Sequence, residues 1–467
     1  MNLMVRSRAI LIHVSQAVAF LLAVSAPLGS YASGFQMFGQ NVFLFRLVIL
    51  AALPLALATA TRHSKRLRRP ALALMLVVAV WWLLGAVGFQ WSPGVEAGLK
   101  SLAAVAFGLA LLVLVWLLPC EWGQIGDALI TGWQVGFIIT SVIAVWEIVF
   151  MRHLPGYLLD TAPAYFLINR FAMATLGNPN NYGAYLLYVL AIFFGGAVSV
   201  TSTRARVLQY LGVGLAVGLL VMSGARLALL GCMVEVVVLI AASTRRQRGR
   251  VAMSAFLLVG IAYVVMVNWG DYGLAKLLVL SSSFLSDASV VARANLMIDA
   301  AFLSFQHLGL GVGPGGFGPS VASGAAPLYT FGLVNPHCFF AEIASEYGVF
   351  SLAAFALWLV GLLRLAIRPV GDGRTISPGA KRYRLILLLG LTGYMFAAFE
   401  NSTYMADSTN WLFLTTLAVL ATSLRPETRR AEAKEQRSAS GWSISAEGGS
   451  GSELNDVPDN LRAGVGR

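Results

Sequence analysis

The chain has 467 residues, of which 58% are hydrophobic and 12% charged, and its mean hydropathy is +0.75. That balance excludes an ordinary soluble globular domain and predicts an integral membrane protein. The formal net charge of +12 is no nucleic-acid footprint, because most Lys and Arg lie in short clusters between apolar runs of about 20 residues.

In chain order, about twelve such runs are predicted as transmembrane helices, near 10–28, 42–60, 71–89, 99–118, 127–150, 181–200, 207–222, 227–243, 251–268, 338–362, 385–400 and 410–424. The fold class expected is therefore all-α and polytopic. Arg6 and Arg8 before the first run imitate a secretory signal, but so many later runs favour an uncleaved first span. With the N-terminus in the cytoplasm, alternate connections carry the basic clusters: Arg62 to Arg69, Arg204 with Arg206, Arg245 to Arg250, and Arg364 to Arg384. The outer side keeps only Lys100, Arg152, Arg170, Arg226, Lys276 and Arg293. This satisfies the positive-inside rule and places both termini in the cytoplasm. Residues 1–424 are expected to form a transmembrane catalytic domain. Residues 425–467, polar and rich in Ser and Gly, are expected to be a disordered cytoplasmic tail.

Two outer loops are long, 151–180 and about 269–336. Loops longer than about 15 residues in a compact protein are usually functional or disordered. The second is too apolar and patterned for disorder, and from Ala288 to Gln306 it reads as a helix with Asn295 and Asp299 on one face. Gly311-Val312-Gly313-Pro314-Gly315-Gly316 matches the dinucleotide fingerprint, but it lacks the preceding strand that the fingerprint requires and is read as a turn or a close backbone approach.

Asn335-Pro336 is a helix-start signal that would set His337 in the first turn of a span. There the helix dipole would keep the imidazole neutral near pH 7 and able to accept a proton; an interfacial, hydrogen-bonded histidine is the plainer alternative. Arg226 follows Ser223-Gly224-Ala225 in a tight outer turn. It opposes the helix dipole as well as the positive-inside trend, with snorkelling to the interface as its bland alternative. Arg293 and Arg170 are the other outer candidates, each equally readable as a solvated surface arginine. Outer arginines suit phosphate, since the guanidinium fork bonds two oxygens and stays charged.

Glu147, Glu235, Glu346 and Glu400 lie in or near spans, where ionisable groups are costly and usually paired or functional. On a continuous helix Glu346 falls half a turn out of phase with His337, which predicts that it ties helices together. Asp160, Asp271, Asp287 and Asp299 show no paired spacing, and neither these acids nor Cys120, Cys232 and Cys338 suggest a metal site; no cofactor is expected.

At these residues the chain resembles the O-antigen ligase and Wzy-type polysaccharide polymerase superfamily. The similarity covers mainly 178–361. Its strongest part is HCFFAEIASEYG at His337 to Gly348, supported by HLGLGVGPGGFG after the helix carrying Arg293, by SGAR at Ser223 to Arg226, and by GNPNNYGAYL at Gly177 to Leu186. The family pattern usually has asparagine after the histidine, where this chain has Cys338. The resemblance implies a metal-independent, inverting glycosyltransferase of GT-C-like architecture in the bacterial inner membrane, with its active site at the periplasmic face. Its donor would be an undecaprenyl-diphosphate-linked oligosaccharide and its acceptor a glycan or lipid A core, with a chain-length regulator as a further partner. By matching position, His337 would be the general base, while Arg226 and Arg293 would bind the donor diphosphate. Polymerase is preferred slightly over ligase. The alternative from another class is a transporter or flippase of a lipid-linked sugar, although the chain shows no inverted pairing of broken helices.

Overall fold

The computed structural model describes residues 2–31, 35–37, 40–60, 69–154, 171–243, 288–368, 377–400 and 405–424. Fourteen helices lie in these residues: α1 (Asn2–Ser25), α2 (Leu44–Ala60), α3 (Arg69–Gly88), α4 (Val95–Leu117), α5 (Trp122–Phe150), α6 (Pro179–Ser199), α7 (Thr203–Ser223), α8 (Arg226–Ala242), α9 (Ala288–Gln306), α10 (Phe317–Ala322), α11 (Phe339–Tyr347), α12 (Val349–Ile367), α13 (Pro378–Ala398) and α14 (Ser408–Ser423). Among the described residues the one strand pairing is a two-stranded antiparallel hairpin, β1 (Phe35–Met37) with β2 (Gln40–Val42).

Every predicted apolar run except 251–268 falls on a helix, and that run lies outside the described residues, as do Arg170 and everything from 425 onward. Seven helices are long and apolar enough to cross a membrane by length and composition: those within 9–29, 69–91, 95–117, 122–150, 179–199, 203–223 and 349–367. α2, α8 and α14 are shorter, and α13 begins with Lys381, Arg382 and Arg384 in its first two turns.

Two helices form the centre. α6 and α14 are buried on nearly all sides, as expected of a helix that is apolar all round. α6 starts where Asn178 caps the chain, its side chain accepting the Asn180 amide at 2.8 Å with Pro179 at the first position. Around the centre Trp133, Tyr185, Tyr188, Phe413 and Tyr394 pack as stacked and edge-on rings. Most other long helices bury one side against this core and leave leucine, valine and isoleucine exposed on the other, the pattern of helices solvated by lipid.

The run predicted as one span from 338 to 362 is two helices. α11 stops at Tyr347, and Gly348 at φ +88 turns the chain into α12. The glycine-rich stretch after α9 lies against this break. Val312 N donates to Ser345 O at 2.7 Å and Val349 N to Gly309 O at 2.9 Å. Gly311, at φ +84, brings its α-carbon so close that a Cβ would stand 2.7 Å from Ser345 O. The close backbone approach foreseen for these glycines is thus made by the chain to itself, and no strand precedes the run to support a dinucleotide fold. On its other side the stretch is held by Trp91 Nε1 on Gly311 O at 3.0 Å and by Ser92 Oγ on Pro314 O at 3.0 Å.

Gly324 has a similar φ of +76 but open space around it, which separates two costs. Gly324→Ala is expected to cost about 1–2 kcal/mol from the left-handed backbone alone, and Gly311→Ala a further ~1–3 kcal/mol from overpacking against backbone. Thermal unfolding of the detergent-solubilised protein checks the order: Gly311→Ala must melt well below Gly324→Ala.

Candidate active site

Arg226 is the first residue of α8. Gly224, at φ +68, closes α7, and Ala225 stands at the N-cap with no side chain able to satisfy the helix's free amides. Glu400, just past the end of α13, supplies what Ala225 lacks: its carboxylate accepts the amides of Leu227 and Ala228. A negative group at a helix start is favoured by the dipole as well as by the hydrogen bonds.

Arg293 lies in the first half of α9, half-buried, and its charge reaches both Glu400 and His337. Burial pushes the Glu400 carboxyl up to about 7, against the opposing pull of Arg293 and the two amides. The candidate arginines come from a turn and a loop helix some 67 residues apart in the chain, and Glu400 accepts amides from the helix of the first and feels the charge of the second.

His337 differs in position from the sequence expectation. The helix begins at Phe339 with Cys338 as its N-cap, so Asn335-Pro336 precedes the helix without starting it, and His337 lies outside the first turn. Its φ is +49, an uncommon conformation for a residue with a side chain. The imidazole is neutral, as expected, but for another reason: burial, and then the nearby Arg293 charge, push its pKa down to about 4. Among the described residues its Nδ1 is buried without a hydrogen-bond partner, and so is Glu400 Oε2. Cys338, the departure from the family pattern, is buried at the cap.

The remaining acids sort by what they hold. Glu346 accepts the Gly315 amide at 2.7 Å and the Ser101 hydroxyl at 3.3 Å, and Ser101 also meets Tyr347 Oη at 2.7 Å. It is a tie, as expected, but one that joins α11 to the glycine stretch and α4. Glu147 accepts the amides of Met173 and Ala174 at 2.9 and 2.7 Å and meets His153 Nδ1 at 3.1 Å, fastening the residues just after α5 and those leading to α6 onto α5. Glu235 is buried in α8 where Gly393 of α13 leaves room for it, and neither oxygen has a partner among the described residues. Asn295 and Asp299 peg the later loop to α9, Asn295 through Tyr329 O at 2.8 Å and Asp299 through the Leu328 amide at 3.1 Å.

Arg293 thus acts on both Glu400 and His337, and Arg226 begins the helix whose amides Glu400 accepts; the sequence did not reveal that part of Glu400. The available signal was an acid just after an apolar run. Glu342, one turn before Glu346 on α11, drew no attention in the sequence; its carboxylate accepts the Met405 amide, and burial and Glu346 raise its pKa. A neutral imidazole with its Nδ1 unpartnered among the described residues and a guanidinium nearby can accept a proton and sit beside an anion.

Two comparisons bear on what this arrangement is. Residues 211–356 match the family model described as O-antigen ligase, a range that contains Arg226, Arg293, the glycine stretch and His337. The chain is also 23% identical over 409 residues to the teichuronic acid biosynthesis protein TuaE of Bacillus subtilis (strain 168), covering 82% of this chain and 80% of that protein. Both matches are to proteins of the kind that the motifs of this chain resemble: a family model for O-antigen ligase over part of the chain, and a polysaccharide-biosynthesis protein along most of it.

Proposed function

We propose that the protein is an inverting glycosyltransferase of the bacterial inner membrane, extending a surface polysaccharide at the periplasmic face from an undecaprenyl-diphosphate-linked donor. The scaffold would be GT-C-like with about twelve spans, and the acceptor a sugar hydroxyl of another lipid-linked glycan, polymerisation being preferred over ligation to a lipid A core. In the transfer step His337 takes the hydroxyl proton as the acceptor oxygen attacks the anomeric carbon. The bond from that carbon to the diphosphate breaks, and undecaprenyl diphosphate leaves with the bonding pair. Arg226 and Arg293 hold the leaving diphosphate by charge-assisted hydrogen bonds, so its charge is met by guanidinium groups with no metal step. Arg170 is a further candidate for the donor.

One observation carries the proposal: the neutral, half-buried imidazole of His337, whose Nδ1 is buried with no partner among the described residues, within reach of the Arg293 charge. A base must be unprotonated and have a free nitrogen, and backbone strain at the same residue is a common companion of function. The family match over 211–356 and the relative named for teichuronic acid biosynthesis support the class of chemistry.

His337→Ala is expected to lower transfer by about 10²–10⁴-fold at unchanged expression, measured as chain growth from lipid-linked oligosaccharide in proteoliposomes. Undiminished product removes the base role, and movement of intact donor between leaflets without chain growth points to transport.

The pH dependence separates His337 from Glu400. His337 has a depressed pKa, so it stays an active base until pH falls through about 4. Glu400 has a raised pKa and loses its charge as pH falls through about 7. The wild-type profile of kcat/KM should therefore decline first near 7, and Glu400→Gln should lose that limb while keeping the one near 4. A profile unaltered by Glu400→Gln refutes a charged role for that group.

A further inference from the structure

We infer that the outward face of α9, with the turn that follows it, lies in the bilayer at the head-group interface instead of facing water. α9 buries Ala292, Leu296, Asp299, Ala300 and Leu303. Its opposite face carries Met297, Ile298, Phe302 and Phe305, with Phe305 72% exposed, and the next turn adds Leu308, 88% exposed. Single exposed apolar residues need no explanation, but a run of large ones along one helix face calls for a non-aqueous cover. From residue 300 to residue 341 the chain has no Asp, Glu, Lys or Arg, which is unusual for a connection solvated on its outer side.

The depth of this segment follows from what holds it. Gly309 O accepts the amide of Val349, the first residue of α12, and Gly311 O accepts Trp91 Nε1 just beyond α3. α3 and α12 are both long and apolar enough to span a bilayer, so the clasp sits where two spans end. Trp91 is itself partly exposed there, the level at which tryptophan collects in membranes. The exposed surface also continues from Leu308 and Leu310 across the clasp to Phe350, 63% exposed, on the first turn of α12. A helix lying in that plane keeps Arg293, about 18 Å along the axis from Phe305, near the depth of lipid phosphates. A diphosphate attached to a membrane-held lipid could then meet it without leaving the interface. Assigning the leaflet rests on the topology proposed above; contact with lipid does not.

Spin labels at Met297→Cys, Phe305→Cys and Leu308→Cys test the inference in the full chain, reconstituted in phosphatidylethanolamine and phosphatidylglycerol vesicles. Cys120, Cys232 and Cys338 are buried and can stay, and Thr203→Cys, at an exposed helix start, is the aqueous reference. Oxygen should relax the three labels more strongly than a water-soluble nickel chelate, the reverse of the Thr203 reference. Nickel-dominated relaxation at these positions overturns the inference. So does dipolar broadening between labels of two copies, which would show protein covering the face. Three positions keep the test intact if one variant misfolds. Because depth is read without turnover, absence of glycan transfer would sink the enzymatic proposal and leave this result standing.

Discussion

The arrangement depends on one close contact between backbones. Gly309 to Val312 lie along Ser345 to Val349, joined by two backbone hydrogen bonds at the point where Gly348 breaks the helix. Any side chain at Gly311 would strike that backbone, so the contact exists only because the stretch is glycine. Glu346 adds a carboxylate that accepts Gly315 N and Ser101 Oγ, and the loop becomes a fixed wall. One end of α9 is thereby set against α11, and His337, just ahead of α11, is set near Arg293.

Charge is organised on the same frame. Glu400 serves as the cap that Ala225 cannot provide, so one carboxylate completes α8 and also feels the charge of Arg293. His337 sits at the edge of this positive field, already desolvated, and the same arginine that would hold an anion helps keep the ring neutral. Anion binding and base chemistry are in this way coupled by geometry.

Much of this was readable from particular residues. Ala288 to Gln306 is a helix over the range its pattern predicts, Asn178-Pro179 starts α6, and Gly224 closes the turn before Arg226. These are local signals, set by side-chain periodicity and by which residues tolerate a cap or a positive φ. Asn335-Pro336 carried the same local signal and misled, because the segment is held by the peg of Asn295 and Asp299 at 328–329, and the helix waits until Phe339. Tertiary contacts overrode a capping preference worth about 1 kcal/mol. Likewise, the phase argument for Glu346 assumed a helix continuous from His337, which the structure does not have.

The sequence by itself determined the class of molecule and most of its helices, since apolar run length and the placement of Lys and Arg are properties of short segments. It also marked Arg226, Arg293 and His337, through broken local preferences and a family pattern. Only the tertiary structure decided that Arg293 acts on both Glu400 and His337, that Glu400 caps the helix that Arg226 begins, that the glycine stretch clasps the chain itself, and that burial, more than a helix dipole, keeps His337 neutral. Each of those facts depends on packing between segments tens to more than a hundred residues apart, for which no local pattern carries the information.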